Sequence, residues 1–292
     1  MTAAALSVPR SASPTWQRFR DAFRRHPTAI IGGIVLALMV LIALLAPWLG
    51  TVDPQALSPA QRLKPPSSEH WFGTDMLGRD VYSRVVYGAR ISLTVGIAVA
   101  ALSVASGLAI GLVTGFVRWL DAIVMRIMDG LMSIPSVLLA IALMALTKAS
   151  VGNVIAAITV AEVPRVVRLV RGLVLSLREQ PFVEAAIAAG TTLPLILMRH
   201  ILPNTVAPLL VQGTYICASA MIVEAILSFI GAGTPPNIPS WGNIMAEARS
   251  LFQIAGYLIF FPGLFLSLTV LAVNLLGDGM RDALDPRLAR RM

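Results

Sequence analysis

Long apolar runs separated by short charged segments dominate the sequence. The first run covers residues 27–52 without a formal charge, and the second covers 91–117. Crossing a bilayer takes roughly 20 apolar residues in a helix, because only a helix satisfies its own backbone in hydrocarbon. Each of these two runs is long enough, so each predicts a membrane-spanning helix.

Four further runs complete the predicted set. They cover 130–147 with an extension back to 125, a stretch that starts at 149, then 201–223 and 250–277. The stretch from 149 meets Glu162, Pro164 and Arg165, so this helix is either short or has a polar inner face that neighbouring helices cover. The pattern therefore predicts an all-α integral membrane protein with six transmembrane helices.

Three acidic residues lie within or beside these runs. Asp129 and Glu162 lie nearer the predicted interfaces, and we expect them to pair with Arg126 and Arg165. Glu224 interrupts the fifth run near its outer end, where an unpaired carboxylate would be costly. Two roles stay open for it: contact with a substrate on the translocation path, or a structural hydrogen bond to a neighbouring helix.

Composition and charge agree with a membrane protein. Of the 292 residues, 57% are hydrophobic and only 13% charged, whereas soluble domains are about a quarter charged. The net charge of +8 arises from basic residues that punctuate the apolar runs, so no basic patch indicates nucleic-acid binding. With six spans and a cytoplasmic N-terminus, sixteen of the 23 basic residues fall on the inner side, which favours both termini in the cytoplasm.

This topology divides the chain into three parts. Residues 1–27 form a cytoplasmic segment, 28–276 the transmembrane domain, and 277–292 a cytoplasmic tail. Within the transmembrane domain an outer loop covers about 51–90 and an inner loop about 165–203. In the first segment, Trp16, Phe19 and Phe23 recur among arginines and predict either an interfacial helix or a disordered basic tail.

Two features are typical of packing. Gly107, Gly111 and Gly115 form a doubled GxxxG pattern in the second span, which lets another helix approach closely. Cys217, the only cysteine, lies inside an apolar run and is interpreted as a packing residue.

Motifs for chemistry are missing from the sequence. There is no GxxxxGK[ST], HExxH, GxSxG or CxxC, and the three histidines are far apart. We therefore expect no catalytic residue, no metal site and no cofactor on this chain. Transport and a scaffold role remain.

The inner loop contains the most informative segment, with EAAIAAG at 184–190 and HILP at 200–203. Pro181 suits a first helical turn, Glu184 favours the positive end of the helix dipole, and Gly190 offers a C-terminal break. Thr192 is a candidate N-cap for a second short helix, which Pro203 would close before the fifth span. The sequence predicts a helix of about 15 Å with a smooth alanine face, suited to a groove in another protein.

This segment resembles the EAA loop of ABC importer permeases. The matching positions are Glu184, Ala185, Ala186, Gly190, Leu202 and Pro203. His200 stands where many such permeases have isoleucine, and the following PN is typical of the peptide branch. The resemblance implies a type I importer permease fold, in which this helix contacts the ATP-binding subunit and carries the coupling.

A second stretch, His70 to Leu93, resembles the signature of the dipeptide, oligopeptide and nickel permeases, specifically their C-type subunit. The tail from 276 to 288 resembles the end of the same subunit type. The signature residues at its centre are Gly73, Thr74, Asp75, Gly78, Arg79 and Asp80, and of these Gly73 and Gly78 permit turns. We expect Asp75, Arg79, Asp80 and Arg84 to pair locally and to cap a short helix leading into the second span. Direct substrate contact is the open alternative.

The resemblance implies the subunit of an ATP-driven importer of di- or oligopeptides in the bacterial cytoplasmic membrane. Its implied partners are a homologous B-type permease, two ABC ATPase domains or subunits that hold ATP and Mg, and an extracytoplasmic peptide-binding protein. Nickel chelates, glutathione or another small solute are alternative substrates. A secondary transporter or membrane scaffold without an ATPase is the alternative of a different class.

Overall fold

The computed structural model describes residues 27–284, and within this range the regular structure is helical apart from one isolated bridge between Thr74 and Asp80. The predicted all-α class is therefore confirmed for the described residues. The interfacial helix or tail expected around Trp16, Phe19 and Phe23 lies outside them, as does the end of the C-terminal motif.

Ten α-helices follow one another between residues 27 and 284. They are α1 Pro27–Leu45, α2 Val81–Thr114, α3 Arg118–Met132, α4 Ser136–Ala145, α5 Val151–Arg178, α6 Pro181–Ala188, α7 Leu193–Ile196, α8 Leu202–Phe229, α9 Trp241–Ala248 and α10 Tyr257–Leu284. A π-helical turn, Leu197–Ile201, joins α7 to α8, so that one apolar helical run covers Leu193–Phe229.

Four helical runs are long and apolar enough to cross a membrane, or five if the bent pair of α3 and α4 forms one span. They are α1 with its following turn, α2, the run that ends with α8, and α10. The remaining predicted span, the fourth, corresponds to α5. It has 28 residues, but Glu162, Arg165 and Arg168 interrupt its apolar character.

The third predicted span is broken rather than straight. The axes of α3 and α4 differ by 90°, and the break falls at Ser133 to Pro135. Proline disfavours helical backbone at the residue before it, which explains the position of the break. With 10 residues, α4 alone is about 15 Å long.

Other boundaries also differ from the sequence prediction. The second span begins at Val81 rather than at 91, and the fourth continues to Arg178 without ending at Arg165. Glu224 lies inside an uninterrupted α8, and the last helix runs from Tyr257 to Leu284, past the predicted end at 277. In each case a charged or polar residue ended the predicted run, whereas the structure accommodates that residue within a helix.

The predicted close packing at the glycines of α2 is confirmed. A Cβ atom added at Gly107 would lie 2.5 Å from Cβ of Val166, and one at Gly111 would lie 2.6 Å from Cβ of Val170. One at Gly115 would lie 2.4 Å from Cγ1 of Val174. Because both series rise in steps of four, α2 and α5 run parallel, with a glycine groove against a valine ridge.

The neighbouring helices define two ends of the bundle. Gly96 packs against Cys217 and Gly213 against Val104, so α8 is antiparallel to α2. Gly32 packs against Leu276 and Gly279 against Ala29, so α10 is antiparallel to α1. We call the end that holds segment 46–80 and α9 the α9 end, and the opposite one the α6 end. Both limits of the described chain, residues 27 and 284, lie at the α6 end.

Candidate functional site

Segment 46–80 folds around two glycines of the outer signature. Gly73 and Gly78 have φ of +77° and +73°, a conformation that glycine adopts without strain. A Cβ atom at Gly78 would lie 1.8 Å from the carbonyl oxygen of Ser58. The turns expected at both positions are present, and Gly78 also needs to be glycine for lack of space.

A four-residue charge cluster fixes this segment to the bundle. The Arg84 guanidinium, 2% exposed, donates through Nη1 to Oδ2 of Asp75 and to Oε2 of Glu247, both at 2.6 Å. Its Nη2 donates to Oε1 of Glu247 at 3.0 Å. Arg79 donates through Nε to Oδ2 of Asp75 at 2.6 Å and through Nη2 to Glu247. Asp75, Arg79, Arg84 and Glu247 therefore form one ion-paired group that joins the signature to α9.

Glu247 is the member of this cluster that sequence reasoning missed. It lies on α9, more than 160 residues from its two arginine partners. Within the signature, Arg79 and Arg84 share the carboxylate of Asp75, because Asp80 caps α2 instead. The two aspartates and two arginines are balanced in the sequence, so the sequence gives no signal for Glu247.

Asp80 sets the start of α2. Its Oδ2 accepts hydrogen bonds from the backbone N of Ser83 at 2.8 Å and from Ser83 Oγ at 2.7 Å, which is N-cap geometry. Its Oδ1 lies 3.0 Å from Nδ1 of His70. Asp80 thus caps the membrane helix itself. The short separate helix that we expected Asp80 to cap is instead the first part of α2.

Thr74 completes the local order of the signature. Its Oγ1 accepts a hydrogen bond from the backbone N of Lys64 at 2.8 Å, and its carbonyl accepts one from the hydroxyl of Tyr257 at 3.0 Å. The polar signature side chains Thr74, Asp75, Arg79, Asp80 and Arg84 therefore have partners within the signature, in segment 46–80 or in the bundle. This geometry favours the ordering role over direct substrate contact.

The inner-loop segment at the α6 end has several of the helix starts and turns expected from the sequence. Pro181 occupies the first turn of α6, with Glu184 in the same turn, and Gly190 has a φ of +79° just beyond the helix. Thr192 is the residue before α7, but its side chain makes no capping hydrogen bond. Pro203 does not close the unit, since it lies in the first turn of α8 and the helical run passes through it.

Helix α6 is anchored on one side and uncovered on the other. Val183 is fully buried and Ala186 is partly buried against the core, and the ring of His200 lies 6.3 Å from that of Phe182. The remaining residues of α6 and the turn after it are exposed. They are Pro181, Phe182, Glu184, Ala185, Ile187, Ala188, Ala189 and Gly190.

Glu224 lies at the α9 end of α8, fully buried within its own chain. Its carboxylate accepts hydrogen bonds from Ser228 Oγ at 2.8 Å and from Ser92 Oγ of α2 at 3.4 Å. The hydroxyl of Ser228 is also hydrogen-bonded to the hydroxyl of Thr234 at 3.2 Å. The Thr234 hydroxyl in turn accepts a hydrogen bond from Nδ2 of Asn243 on α9 at 2.8 Å. The geometry favours the structural one of the two roles left open for Glu224.

Of the two ion pairs expected for Glu162 and Asp129, one is present in the structure. Arg165 Nη1 lies 3.1 Å from Oε2 of Glu162, so this pair is confirmed. Asp129 pairs with Arg168 of α5 at 2.6 Å and not with Arg126, because α3 packs against α5. Arg171 makes a two-pronged contact with Asp121 in the same interface.

Comparison with known proteins places the chain in a family. Residues 107–290 match the family described as the binding-protein-dependent transport system inner membrane component. Residues 14–66 match the N-terminal transmembrane domain of oligopeptide transport permease C. The two matches together cover most of the sequence.

Three similar proteins have names of the same kind. A probable peptide ABC transporter permease of Sinorhizobium fredii is 53% identical over 290 residues, which are 99% of this chain and 98% of the relative. The dipeptide transport system permease protein DppC of Alkalihalophilus pseudofirmus is 41% identical, with 95% and 92% covered. The glutathione transport system permease protein GsiD of Escherichia coli is also 41% identical, with 99% and 96% covered. The chain therefore belongs to the family of inner membrane components of binding-protein-dependent transport systems, in its branch of C-type peptide and oligopeptide ABC permeases.

Proposed function

We propose that this chain is the C-type permease subunit of an ATP-driven importer of di- or oligopeptides, coupled to separate ATPase subunits through α6. The single observation that carries the proposal is the uncovered apolar surface of α6 at one end of a membrane-embedded bundle. Ile187 is 54% exposed and Phe182 is 43% exposed, on a helix whose opposite side is held by the buried Val183. Such a surface fits a groove in a partner protein.

The proposal includes six crossings, with both termini in the cytoplasm. Helix directions support this, because α1, the α3–α4 pair and the run ending in α8 leave the α6 end, whereas α2, α5 and α10 return to it. The charges at that end support a cytoplasmic orientation, since Arg171 and Arg178 of α5 lie there with Arg199 and Arg281.

Within this proposal the residues around α6 have three roles: docking to the ATPase, anchoring of α6 to the bundle, and transmission of its movement. Glu184, Ala185 and Gly190 form or end the docking helix, whereas Ala186 and His200 hold it against the bundle. Leu202 and Pro203 begin α8, so movement of α6 reaches α8 through the short run of α7 and the π turn. The other end of α6 follows α5 after two residues, and both helices receive the displacement.

The partners are those that such an importer requires. A homologous B-type permease completes the path, two ABC ATPase domains or subunits bind ATP and Mg, and an extracytoplasmic peptide-binding protein docks at the α9 end. This chain contributes no catalytic residue and no cofactor ligand. ATP binding draws the ATPases together, α6 moves with them, and α5 and α8 shift the path between inward and outward access.

Two alternatives remain for the substrate and the class. The glutathione permease relative favours a small peptide-like solute other than a dipeptide, and nickel chelates belong to the same set of candidates. A secondary transporter or scaffold would need no ATPase. This alternative does not explain why the apolar side of α6 is exposed.

Site-directed photocrosslinking of the assembled complex tests the proposal. We expect benzoylphenylalanine at Ile187 to capture an ATP-binding subunit. The same probe at Leu57, which is 62% exposed in segment 46–80, should capture the peptide-binding protein and no ATPase. Capture of an ATPase from Leu57 but not from Ile187, or a solitary chain that transports on an ion gradient, would contradict the proposal.

A further inference from the structure

A polar face follows α5 at mid-depth of the bundle. Thr159, Glu162 and Arg165 recur at intervals of three residues, so they share one side of the helix. On α8, Gln212 and Tyr215 have the same spacing, and the Arg165 guanidinium carbon lies 5.4 Å from the centre of the Tyr215 ring. The five side chains therefore belong to adjoining faces of two packed helices.

The depth of this face separates it from both ends. Arg165 is 14 residues after the start of α5 and 13 before its end, which is about 20 Å in each direction. Tyr215 occupies the equivalent middle of α8. Substrate sites in transporters commonly lie near the bilayer midplane.

The face also carries unused hydrogen-bonding capacity. Within residues 27–284, six buried side-chain atoms have no hydrogen-bond partner, and five of them belong to this face. These five are Thr159 Oγ1, both carboxylate oxygens of Glu162, Arg165 Nη1 and Gln212 Nε2. Glu162 and Arg165 lie at ion-pair distance but without hydrogen-bond geometry, and Ser219 of α8 is the other polar side chain that interacts with the Glu162 carboxyl group, which is only 1% exposed. Buried polar atoms of this kind call for a further partner.

Exposure shows the side from which such a partner approaches. The Arg165 side chain is 40% exposed and Tyr215 is 54% exposed, whereas Glu162 lies beneath them. A guanidinium at this depth is costly against lipid, so this side meets water, protein or solute. By contrast, the groove between α1, α2, α8 and α10 is lined almost entirely by apolar side chains, which suit hydrocarbon.

We propose that Glu162, Arg165, Gln212 and Tyr215 form a substrate site in the translocation path that receives the backbone charges of a zwitterionic peptide. Glu162 accepts the terminal ammonium, and Arg165 binds the terminal carboxylate. Gln212 and Tyr215 contact the peptide group between them. One carboxylate and one guanidinium give the site a formal charge of zero, which matches a zwitterion and not an anion or a cation. This inference rests on the proposed function and identifies its substrate class.

A photocrosslinking probe at the site tests the inference directly. In proteoliposomes with the whole importer, benzoylphenylalanine at Tyr215 should capture radiolabelled alanyl-alanine during ATP-driven uptake. The same probe at Leu210, 51% exposed on another face of α8, should not. Because Tyr215 is exposed, this arm does not depend on whether changes at Glu162 are tolerated. Capture of the partner permease from position 215, without peptide, would overturn the inference in favour of a subunit interface.

Charge-removing variants provide the second arm. With the binding protein and ATPases present, Glu162→Gln and Arg165→Gln should each lower peptide capture at 215 and uptake by about tenfold, the loss of one charge-assisted hydrogen bond. ATP hydrolysis should change little. Arg168→Gln is the matched control, because Arg168 lies one turn further along α5 and pairs with the exposed Asp129. Full uptake and capture in both site variants would overturn this inference alone, whereas absence of ATP-dependent uptake in the unmodified complex would remove the proposed function as well.

Discussion

The buried ion pairs of Arg84 are a main contribution to the stability of segment 46–80. It is buried at 2% exposure, and it holds one carboxylate from the signature and one from α9. Removing one member of a buried ion-paired group leaves the other charges uncompensated, which costs far more than losing an exposed pair. This single guanidinium therefore links the loop before α2 to the helix before α10.

Replacing Arg84 by Gln is expected to lower the free energy of unfolding by about 3 kcal/mol, since Asp75 and Glu247 then share Arg79 alone. Arg62→Gln, an exposed change in the same segment, should have little effect. The measurement is the thermal unfolding of each purified variant in one detergent. Equal midpoints for the two variants would show that the cluster contributes nothing to stability.

Sequence reasoning at this scale finds local pairs and misses distant ones. The Asp75–Arg79 pair is four residues apart and the Asp80 cap precedes its helix directly, so spacing alone predicts both. Glu247 is separated from Arg84 by most of the chain, and only the fold brings them together. The wrong partner for Asp129 has the same origin, because its arginine comes from a different helix.

At the scale of elements, the pairing of α2 with α5 decides how closely the bundle packs. Glycines at 107, 111 and 115 leave a groove, and valines at 166, 170 and 174 fill it. Close approach through small residues is a main source of helix association in lipid, where the hydrophobic effect does not act between helices.

Gly111→Ala should destabilise the protein by about 1–3 kcal/mol, because the added Cβ would lie 2.6 Å from Cβ of Val170 and must separate the helices. Gly172→Ala on α5 is the matched control, since nothing lies within 4 Å of its Cβ position. Thermal unfolding of both variants measures the difference. Equal losses of stability would contradict tight packing of α2 on α5.

Apolar patterning predicts that elements exist better than it predicts their ends. Glu224, Arg165 and Arg90 each bound an apolar run in the sequence, yet each lies inside a helix. Each has a partner on another helix: Ser92 for Glu224, the ring of Tyr215 for Arg165, and the carbonyl of Ala43 for Arg90. The 90° bend after α3 was equally inaccessible to a hydropathy argument, although Pro135 marks the position.

At the scale of the whole molecule, the fold separates an ordered α9 end from the exposed apolar surface at the α6 end, where we propose that the ATPase docks. The signature cluster and the Glu224 network fix the connections before α2 and after α8. Helix α6 projects from the junction of α5 and α8, and these two helices also carry the mid-depth polar face. A displacement of α6 therefore acts on the helices that we infer to contact the peptide.

The positions of the two motifs were identifiable from sequence, together with the roles that we propose for them, whereas the mid-depth face was not. The EAA segment and the signature are patterns of residues close together in sequence, so each can be recognised without knowledge of the fold. Tyr215 and Arg165 are 50 residues apart and become neighbours only when α8 packs on α5. The sequence did allow a polar inner face for the fourth span, without indicating what that face meets.

The most direct test of the account is the ratio of peptide imported to ATP hydrolysed in proteoliposomes that contain the complete importer. Gly190→Pro removes the N–H that donates to the carbonyl of Ile187 and cannot adopt a φ of +79°, so it should disrupt the end of α6. Gly190→Asn, which tolerates this conformation, is the control. We expect the ratio to fall at least severalfold for proline and to stay near the wild-type value for asparagine. An unchanged ratio with Gly190→Pro in an assembled complex would contradict coupling through α6.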